Sequence, residues 1–144
     1  MARIKIDMPE KFIASSSIPI RIGDINYGNH VGNDAFVSLV HEARMQWLTA
    51  NAMTELSIAG TGLIMAGLSL EFKSEAVYGD IIKIELAVGE ISSLRFDLYY
   101  RLSTTRNNCT IQLANALTIM VSFDYKISKP VPIPGILLEL LEST

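Results

Sequence analysis

At residues 21–47 a loop rich in glycine and polar residues runs directly into a long apolar segment, RIGDINYGNHVGNDAFVSLVHEARMQW. Apolar residues in the second half recur at the three-and-four spacing of one helical face, which predicts a helix from Asn33 or Asp34 to about Met53. The side chain of Asn33 or Asp34 can cap its first free N–H groups. Further apolar residues widen the face, so we expect this helix to be enclosed rather than to lie on the surface.

The loop before this helix is unusually polar for a segment next to a core. Eight of the eleven residues 23–33 are glycine, asparagine, aspartate or histidine. Buried polar groups need hydrogen-bond partners, and binding and catalytic residues are found disproportionately on loops. We therefore expect the loop to bind a ligand or to carry out chemistry.

After residue 62 the apolar period changes from helical to two. Turns at 78–80, 89–93 and 107–108 separate four segments that read as antiparallel strands. Residues 12–22 predict a strand before the helix, and Pro19 suits an edge because it cannot donate to a ladder. A short helix is expected at residues 135–141. About five strands and one long helix can be closed only by laying the helix across the sheet, so the predicted class is α+β.

The last long strand predicts two different faces. Its core face is expected to carry Ile111, Leu113, Leu117, Ile119, Val121 and Phe123. The opposite face is small and nearly uncharged, with Ala114, Ala116, Thr118, Met120 and Ser122. A face of that kind predicts packing against another subunit.

Length and composition exclude several classes of protein. The 144 residues, about half of them apolar, predict one domain over residues 1–144. A net charge of −3 without a basic block argues against a nucleic-acid partner. The single cysteine, Cys109, fits a reducing cytoplasm, and neither a signal peptide nor a membrane span is evident. Two histidines eleven residues apart match no zinc pattern, and no dinucleotide or P-loop fingerprint is present, so no metal and no cofactor are expected.

The motif D-I-N-Y-G-N-H-V-G-N at 24–33, followed by A-F-V-S-L-V-H-E-A-R at 35–44, resembles the hot-dog-fold acyl-CoA thioesterases of the 4-hydroxybenzoyl-CoA thioesterase type. Plant acyl-carrier-protein thioesterases are more distant relatives. The Y-G-D turn at 78–80 and the P-V-P-I-P segment at 130–134 match as well, so the resemblance extends over nearly the whole chain. It implies an antiparallel sheet wrapped round one long helix, a homodimer or homotetramer with the site at a subunit interface, and a thioester of coenzyme A, or less often of acyl carrier protein, as substrate.

The resemblance also implies roles for individual residues. Asp24 fills the first acidic position of the family's loop, while Asn26 stands where the 4-hydroxybenzoyl-CoA branch has its catalytic carboxylate. His30 matches the histidine of the plant branch, and Gly28 stands at that branch's asparagine. Glu42 matches the glutamate of the helix. These matches suggest Asp24, Asn26, His30 and Glu42 as catalytic residues.

Thioester hydrolysis needs a base for water, or a carboxylate that attacks the carbonyl, together with donors for the developing oxyanion. Free N–H groups at a helix N-terminus supply such donors, which makes residues 31–35 the candidate oxyanion site. Gly28, Val31, Gly32 and Asn33 are the candidate substrate-binding residues. Glu42 is the candidate general base with Asp24 as the alternative, and Asn26 and His30 would orient water or the thioester.

Less specific interpretations stay open for each of these residues. The glycines can simply shape a turn, Glu42 can be a solvated carboxylate, Asp24 can hold the loop, and His30 can be structural. Two other functions also stay open. One is a hot-dog protein that binds acyl-CoA without turnover, and the other is a hot-dog hydratase or dehydratase, whose Asp–His hydration motif is not found in this sequence.

Overall fold

The computed structural model of the chain describes residues 4–143, so residues 1–3 and 144 of the domain expected over 1–144 lie outside the described residues. Helix α1 begins at Asn33, as expected, and ends at Ala50, three residues before the predicted end. The strands are β1 (Ala14–Pro19), β2 (Gly62–Phe72), β3 (Ile81–Ile91), β4 (Arg95–Arg106), β5 (Cys109–Asp124) and the two-residue β6 (Lys129–Pro130), and helix α2 (Gly135–Glu142) follows. The predicted α+β class is confirmed. Among the described residues, no helix is both long and apolar enough to cross a membrane.

All strand pairs in the sheet are antiparallel, and the order is β1-β3-β4-β5-β2, with β6 beside β5. β1 lies at one edge, where Pro19 needs no ladder donor. The turns at 78–80 and 107–108 fall where the sequence predicts them, whereas the turn expected at 89–93 lies at 92–94, because β3 continues to Ile91. Gly79 has φ +99°, and Asn107 and Asn108 have φ 51° and 63°, a left-handed conformation that asparagine and glycine tolerate best.

The core lies between one face of the sheet and one face of α1. The buried residues of that helical face are Ala35, Phe36, Leu39, Val40, Ala43, Arg44, Trp47 and Leu48. They pack with the fully buried Ile82, Ile84 and Leu86 of β3 and Phe96, Leu98, Tyr100 and Leu102 of β4. Burying each large apolar side chain contributes roughly 1.5–3 kcal/mol. Leu137 and Leu141 of α2 complete the same core.

Two expectations for α1 are wrong. Its second face, with Ser38, His41, Glu42, Gln46 and Thr49, is exposed, because the sheet covers only one side of the helix. The helix is amphipathic rather than enclosed. Asn33 and Asp34 do not cap the helix, because both already lie within its first turn. The N-cap residue is Gly32, which has no side chain that could form a cap hydrogen bond.

The expected core face of β5 is also wrong. Ala114, Ala116, Thr118, Met120 and Ser122 are buried and face the helix, whereas Leu117, Ile119, Val121 and Phe123 are half-buried on the outer face. The register between β4 and β5 shifts at Leu102/Ser103, and on β5 the consecutive Leu113 and Ala114 are both buried. A bulge of this kind reverses the alternation beyond it. The outer face of the sheet is therefore more apolar than the sequence suggests.

Candidate active site

The loop that carries His30 is held together mainly by its own backbone. The Asn26 N–H donates to the His30 carbonyl oxygen at 2.9 Å, and the Asn29 N–H donates to the Asn26 carbonyl oxygen at 3.2 Å, with Asn29 at φ 67°. The side-chain Oδ1 of Asn26 accepts the Gly28 N–H at 2.8 Å. The oxygen of Asn26 therefore shapes the turn in which His30 sits.

Asp24 holds the two ends of the same loop. Its buried carboxylate accepts the Arg21 backbone N–H at 2.8 Å and lies 3.5 Å from the Arg21 guanidinium. The carbonyl oxygen of Asp24 accepts the Gly32 N–H at 3.1 Å. These bonds make Asp24 an anchor between the end of β1 and the start of α1.

The first turn of α1 offers free donors, although fewer than expected. The Val31 N–H donates to the Ala76 carbonyl oxygen at 2.7 Å, and the Gly32 N–H is bonded to Asp24, so these two groups cannot act as oxyanion donors. The first bond at the start of the helix joins the Phe36 N–H to the Gly32 carbonyl oxygen at 3.3 Å. Within residues 4–143 no acceptor is bonded to the N–H groups of residues 33–35. Those three N–H groups carry the positive end of the helix dipole.

A cleft of about 320 Å³ opens at this end of the helix. It is lined by His30, Val31, Asn33, Phe36, Phe72, Lys73, Ser74 and Glu75. The His30 imidazole Nε2 lies 3.6 Å from the Glu75 Oε1, and the two side chains are 35% and 74% exposed. Glu75 follows β2 and belongs to no motif, so nothing in the sequence indicated its place beside His30.

One wall of the cleft is aromatic, and its rim is charged. The rings of Phe36 and Phe72 meet edge to face, with centroids 5.3 Å apart. Phe72 is 40% exposed although it lies beside the core. Lys73 follows Phe72 at the rim and places a cation next to an apolar surface.

The lack of a side chain at Gly28 and Gly32 leaves space for the side chains next to them. A Cβ atom on Gly28 would lie 3.2 Å from both the Asn26 Oδ1 and the His30 Nε2. A Cβ atom on Gly32 would lie 2.7 Å from the Asp34 Oδ1. Larger side chains at these positions would therefore press on the imidazole or on the start of α1.

Glu42 lies elsewhere. Its exposed carboxylate accepts a hydrogen bond from the Gln46 Nε2 at 2.9 Å. It lines a different cleft, of about 430 Å³, between α1 and the segment Ser17–Arg21, and this cleft shares no residue with the one at His30. Within one chain the structure brings His30, Val31 and Asn33 together and leaves Glu42 apart.

A second polar cluster lies between α1 and the sheet, and its side chains bond one another in a closed network. The Arg44 Nε donates to the Glu55 Oε2 at 3.1 Å, and its Nη1 donates to the Tyr100 hydroxyl at 3.1 Å. The other Glu55 oxygen lies 2.6 Å from the His41 Nε2, and the Tyr100 hydroxyl lies 2.8 Å from the Thr118 hydroxyl. Burial disfavours a charged guanidinium, but Tyr100 and Glu55 outweigh it and raise the pKa of Arg44. Burial likewise raises the pKa of the Tyr100 phenol, which stays neutral.

Among residues 4–143 no group of three His, Cys, Asp or Glu side chains is arranged to hold a metal ion.

The arrangement of the elements defines a class of protein. Solved structures with the same fold include the 1,4-dihydroxy-2-naphthoyl-CoA thioesterase of Synechocystis, with a TM-score of 0.80 and 22% identity over 90% of this chain and 95% of that chain. The 4-hydroxybenzoyl-CoA thioesterase of Pseudomonas sp. strain CBS-3 gives 0.77 and 18%, over 88% and 97%. The gentisyl-coenzyme A thioesterase BH1999 gives 0.77 and 17%, over 89% and 99%. The expected hot-dog fold is thereby confirmed.

Family membership follows from the sequence as well as from the fold. The model of the thioesterase-like superfamily matches residues 20–141, which extend from before the His30 loop into α2. No protein with a curated description matches the sequence. The chain belongs to the thioesterase-like superfamily.

Proposed function

We propose that the chain hydrolyses an acyl-CoA thioester to the free acid and coenzyme A at the N-terminus of α1. One observation carries the proposal: the half-buried imidazole of His30 lines the same cleft as Asn33, whose N–H group is one of the three without a bonded acceptor at the start of α1. A base for water and donors for an oxyanion are the two requirements of thioester hydrolysis. Superfamily membership supports the same reaction.

The reaction proceeds through a tetrahedral intermediate. The thioester carbonyl oxygen accepts hydrogen bonds from the first-turn N–H groups, among them that of Asn33, and these bonds strengthen as negative charge develops. With Nε2–H directed at Glu75, the Nδ1 of His30 accepts a proton from water while the water oxygen attacks the carbonyl carbon. The carbon–sulfur bond then breaks, and the thiolate takes the proton from the imidazolium. The Glu75 carboxylate stabilises the imidazolium between the two steps.

The cleft also suits the two ends of the substrate. Phe36 and Phe72 offer the acyl group an apolar and aromatic wall. Lys73 at the rim offers a cation to the phosphates of coenzyme A. In this proposal Gly28, Val31 and Gly32 shape the binding surface, and Asp24 and Asn26 hold the loop.

Glu42 remains an alternative general base. Its carboxylate is exposed on the polar face of α1, so it can act on a thioester bound in its own cleft or on one held by a second copy of the chain. A single comparison decides between the two bases, because His30 and Glu42 line separate clefts and can be replaced independently.

The deciding measurement is thiol release from short, long and aromatic acyl-CoAs by the wild type, His30→Gln and Glu42→Ala in parallel. Turnover lost in His30→Gln and kept in Glu42→Ala supports the proposed base, and the reverse result moves the base to Glu42. Tight acyl-CoA binding by the wild type without thiol release would indicate a binding protein. A change in enoyl absorbance without thiol release would indicate a hydratase.

We further propose a homo-oligomer, built from one hot-dog domain per chain in a reducing cytoplasm. Within residues 4–143 no strand pairs with the outer edge of β2, a strand that carries Met65, Leu68 and Phe72, which are 42%, 37% and 40% exposed. An apolar edge of eleven residues is suited to pairing with a second copy. The half-buried apolar residues on the outer face of β5 would add a tetramer contact, and the exposed free thiol of Cys109 fits the compartment.

Light scattering on a sizing column tests the assembly. The wild type should elute as a dimer or tetramer, and Leu68→Lys, which places a charge on the β2 edge, should shift it towards the monomer. A Lys substitution on the exposed polar face of α1, Thr49→Lys, is the matched control and should leave the mass unchanged. A monomeric wild type would refute the proposed assembly.

A further inference from the structure

The connection between β2 and β3, residues 73–80, reaches the candidate site at two points. The carbonyl oxygen of Ala76 accepts the Val31 N–H at 2.7 Å, one residue before the N-cap of α1. The Glu75 Oε1 lies 3.6 Å from the His30 Nε2. Any displacement of this connection therefore moves both the partner of the imidazole and the support of the helix N-terminus.

Arg106, the last residue of β4, holds the connection in place. Its Nε donates to the Asp80 Oδ1 at 2.9 Å, and its Nη2 donates to the Asp80 Oδ2 at 2.5 Å and to the Glu75 carbonyl oxygen at 2.9 Å. The Asp80 Oδ2 also accepts the Val77 N–H at 2.9 Å. One guanidinium thus ties Glu75 to Asp80.

The ion pair between Arg106 and Asp80 stabilises the charged form of both partners. Asp80 is only 7% exposed, whereas the Arg106 side chain is 32% exposed. Hydrogen bonds from the guanidinium lower the pKa of the Asp80 carboxyl, and the same bonds raise the pKa of Arg106. The Asp80 carbonyl oxygen accepts the Ile20 N–H at 3.0 Å, which joins the pair to the segment leading into the His30 loop.

We propose that Arg106 is a positioning residue for the thioesterase site: it fixes Glu75 and the Ala76 carbonyl, and through them the His30 imidazole and the first turn of α1. This inference rests on the proposed function for its effect on turnover, but its geometric part can be measured without turnover. Arg106 does not itself line the cleft, and its bond to the site is the one to the Glu75 carbonyl oxygen, so it acts through the connection.

Lysine is the informative replacement. It keeps the positive charge at position 106. One ammonium group, however, cannot donate at the same time to both Asp80 oxygens and to the Glu75 carbonyl oxygen, as the planar guanidinium does. Arg106→Lys should therefore preserve the charge of the region and lose the geometry that fixes Glu75.

The chain contains a matched control on the same strand. Arg101 of β4 is 35% exposed, and its Nε and Nη2 each lie 3.1 Å from the Glu85 Oε1. Its guanidinium also covers the ring of Phe12 at 4.2 Å. None of these partners belongs to the connection 73–80 or to the loop of His30. Arg101→Lys thus makes the same chemical change in an ion pair of similar exposure with no link to the site.

The first experiment compares kcat and KM of the wild type, Arg106→Lys and Arg101→Lys on the best acyl-CoA of the panel. Arg106→Lys should lower kcat about 10-fold to 100-fold with KM within about two-fold, because misplacing a reacting group by up to about 1 Å has an effect of that order. Arg101→Lys should stay within about two-fold in both. An equal loss in the two variants, or a change in KM alone, would overturn the positioning role.

The second experiment needs no turnover. Proton–carbon spectra of the imidazole rings contain only His30 and His41, which His30→Gln assigns. At fixed pH the His30 cross-peak should move in Arg106→Lys and stay in Arg101→Lys, while the His41 cross-peak stays in both. A His30 cross-peak that does not move would overturn the inference. A wild type without activity on any acyl-CoA would refute the proposed function, and this spectrum would then decide the positioning role by itself.

A second variant covers a failure of Arg106→Lys to fold. Asp80→Asn keeps the shape of the acceptor and removes its charge, so it weakens the ion pair between Arg106 and Asp80, here called the clamp, from the side of the acid. It should move the His30 cross-peak in the same direction and lower kcat with KM nearly unchanged. A folded Asp80→Asn with a wild-type spectrum and wild-type kcat would overturn the inference.

Discussion

Each of the two histidines of this chain lies beside a glutamate, and the two pairs differ in every other respect. His41 lies 2.6 Å from Glu55, which is 17% exposed and is also bonded to the buried Arg44. His30 lies 3.6 Å from Glu75, whose side chain is 74% exposed and whose carboxylate accepts no hydrogen bond within the described residues. The His41 side chain is 56% exposed and that of His30 is 35% exposed, so the difference lies in the glutamates. Glu55 belongs to a closed network with Arg44, whereas Glu75 is open to solvent, and His30 shares its cleft with Asn33, whose N–H group has no bonded acceptor.

Under the proposed function, the difference separates polar groups that stabilise the fold from polar groups that take part in the reaction. In the closed network each charge is opposed by a partner, so the groups stabilise the packing of α1 on the sheet and have little left to offer a ligand. In the open pair the Glu75 carboxylate is 74% exposed and the His30 imidazole 35% exposed, so a substrate or a proton can reach both. Four substitutions test this division, in order of decreasing expected effect.

The largest effect is expected for His30→Gln. It removes the base but keeps a side chain of similar polarity, so kcat should fall about 100-fold or more while the unfolding midpoint in urea stays nearly unchanged. The matched change His41→Gln should leave kcat within about two-fold. Equal losses of kcat in the two variants would show that the open pair is no more catalytic than the closed one.

Glu55→Gln should have the next largest effect, and it acts on stability. The buried Arg44 would lose its counter-charge while keeping a weaker acceptor, which should lower the free energy of unfolding by about 2 kcal/mol. Urea denaturation measures this loss. The control is Glu75→Gln, whose exposed carboxylate should contribute less than about 0.5 kcal/mol. A comparable loss in both variants would remove the distinction between the pairs.

Glu75→Gln should act on turnover instead. Without the carboxylate, the imidazolium that forms in the reaction loses its stabilising charge, and kcat should fall about 10-fold. The same substitution at Glu42, the exposed glutamate of the separate cleft, is the control and should have little effect if His30 is the base. A larger loss of kcat in Glu42→Gln than in Glu75→Gln would favour the helix glutamate as the base.

The sequence was sufficient for the fold because its local signals agree with one another. The period of two, the asparagine turn at 107–108 and the polar loop before an apolar helix each point to one arrangement, and the structure has it. The alternation of β5 was misread because a single bulge at Leu102/Ser103 reverses the faces beyond it. A bulge cannot be read from the sequence pattern of one strand, since it is a property of the pairing between two strands.

The site was only partly predictable for a similar reason. Motif residues such as His30 and Asn33 do meet in one cleft, because they lie in one loop and the turn that follows it. Glu75 is 45 residues further along the chain than His30 and is brought there by the clamp of Arg106 and Asp80, a contact that no periodicity encodes. The expectation of an enclosed α1 was wrong because its apolar content suggested a helix covered on all sides, whereas the face that carries Glu42 is exposed.

The smallest effect concerns the pH dependence of the clamp that carries Glu75. Hydrogen bonds from Arg106 lower the pKa of Asp80 below its usual value of 3.8. A carboxyl with a lowered pKa in the folded state stabilises the fold above its unfolded pKa, and that contribution is lost as the pH falls through the folded value. Asp80→Asn should therefore lower the free energy of unfolding by about 1 kcal/mol at pH 7, and its difference from the wild type should shrink below about pH 4.

Asp97 provides the control of opposite sign for this measurement. Burial raises the pKa of its carboxyl, so the folded state binds a proton more tightly than the unfolded state does, and the ionised group opposes folding above the acid range. Asp97→Asn should therefore gain stability relative to the wild type as the pH rises through the acid range, where Asp80→Asn loses it. Urea denaturation at several pH values measures both differences. Parallel pH profiles for the two variants would show that the clamp on the Glu75 connection has no special electrostatic role.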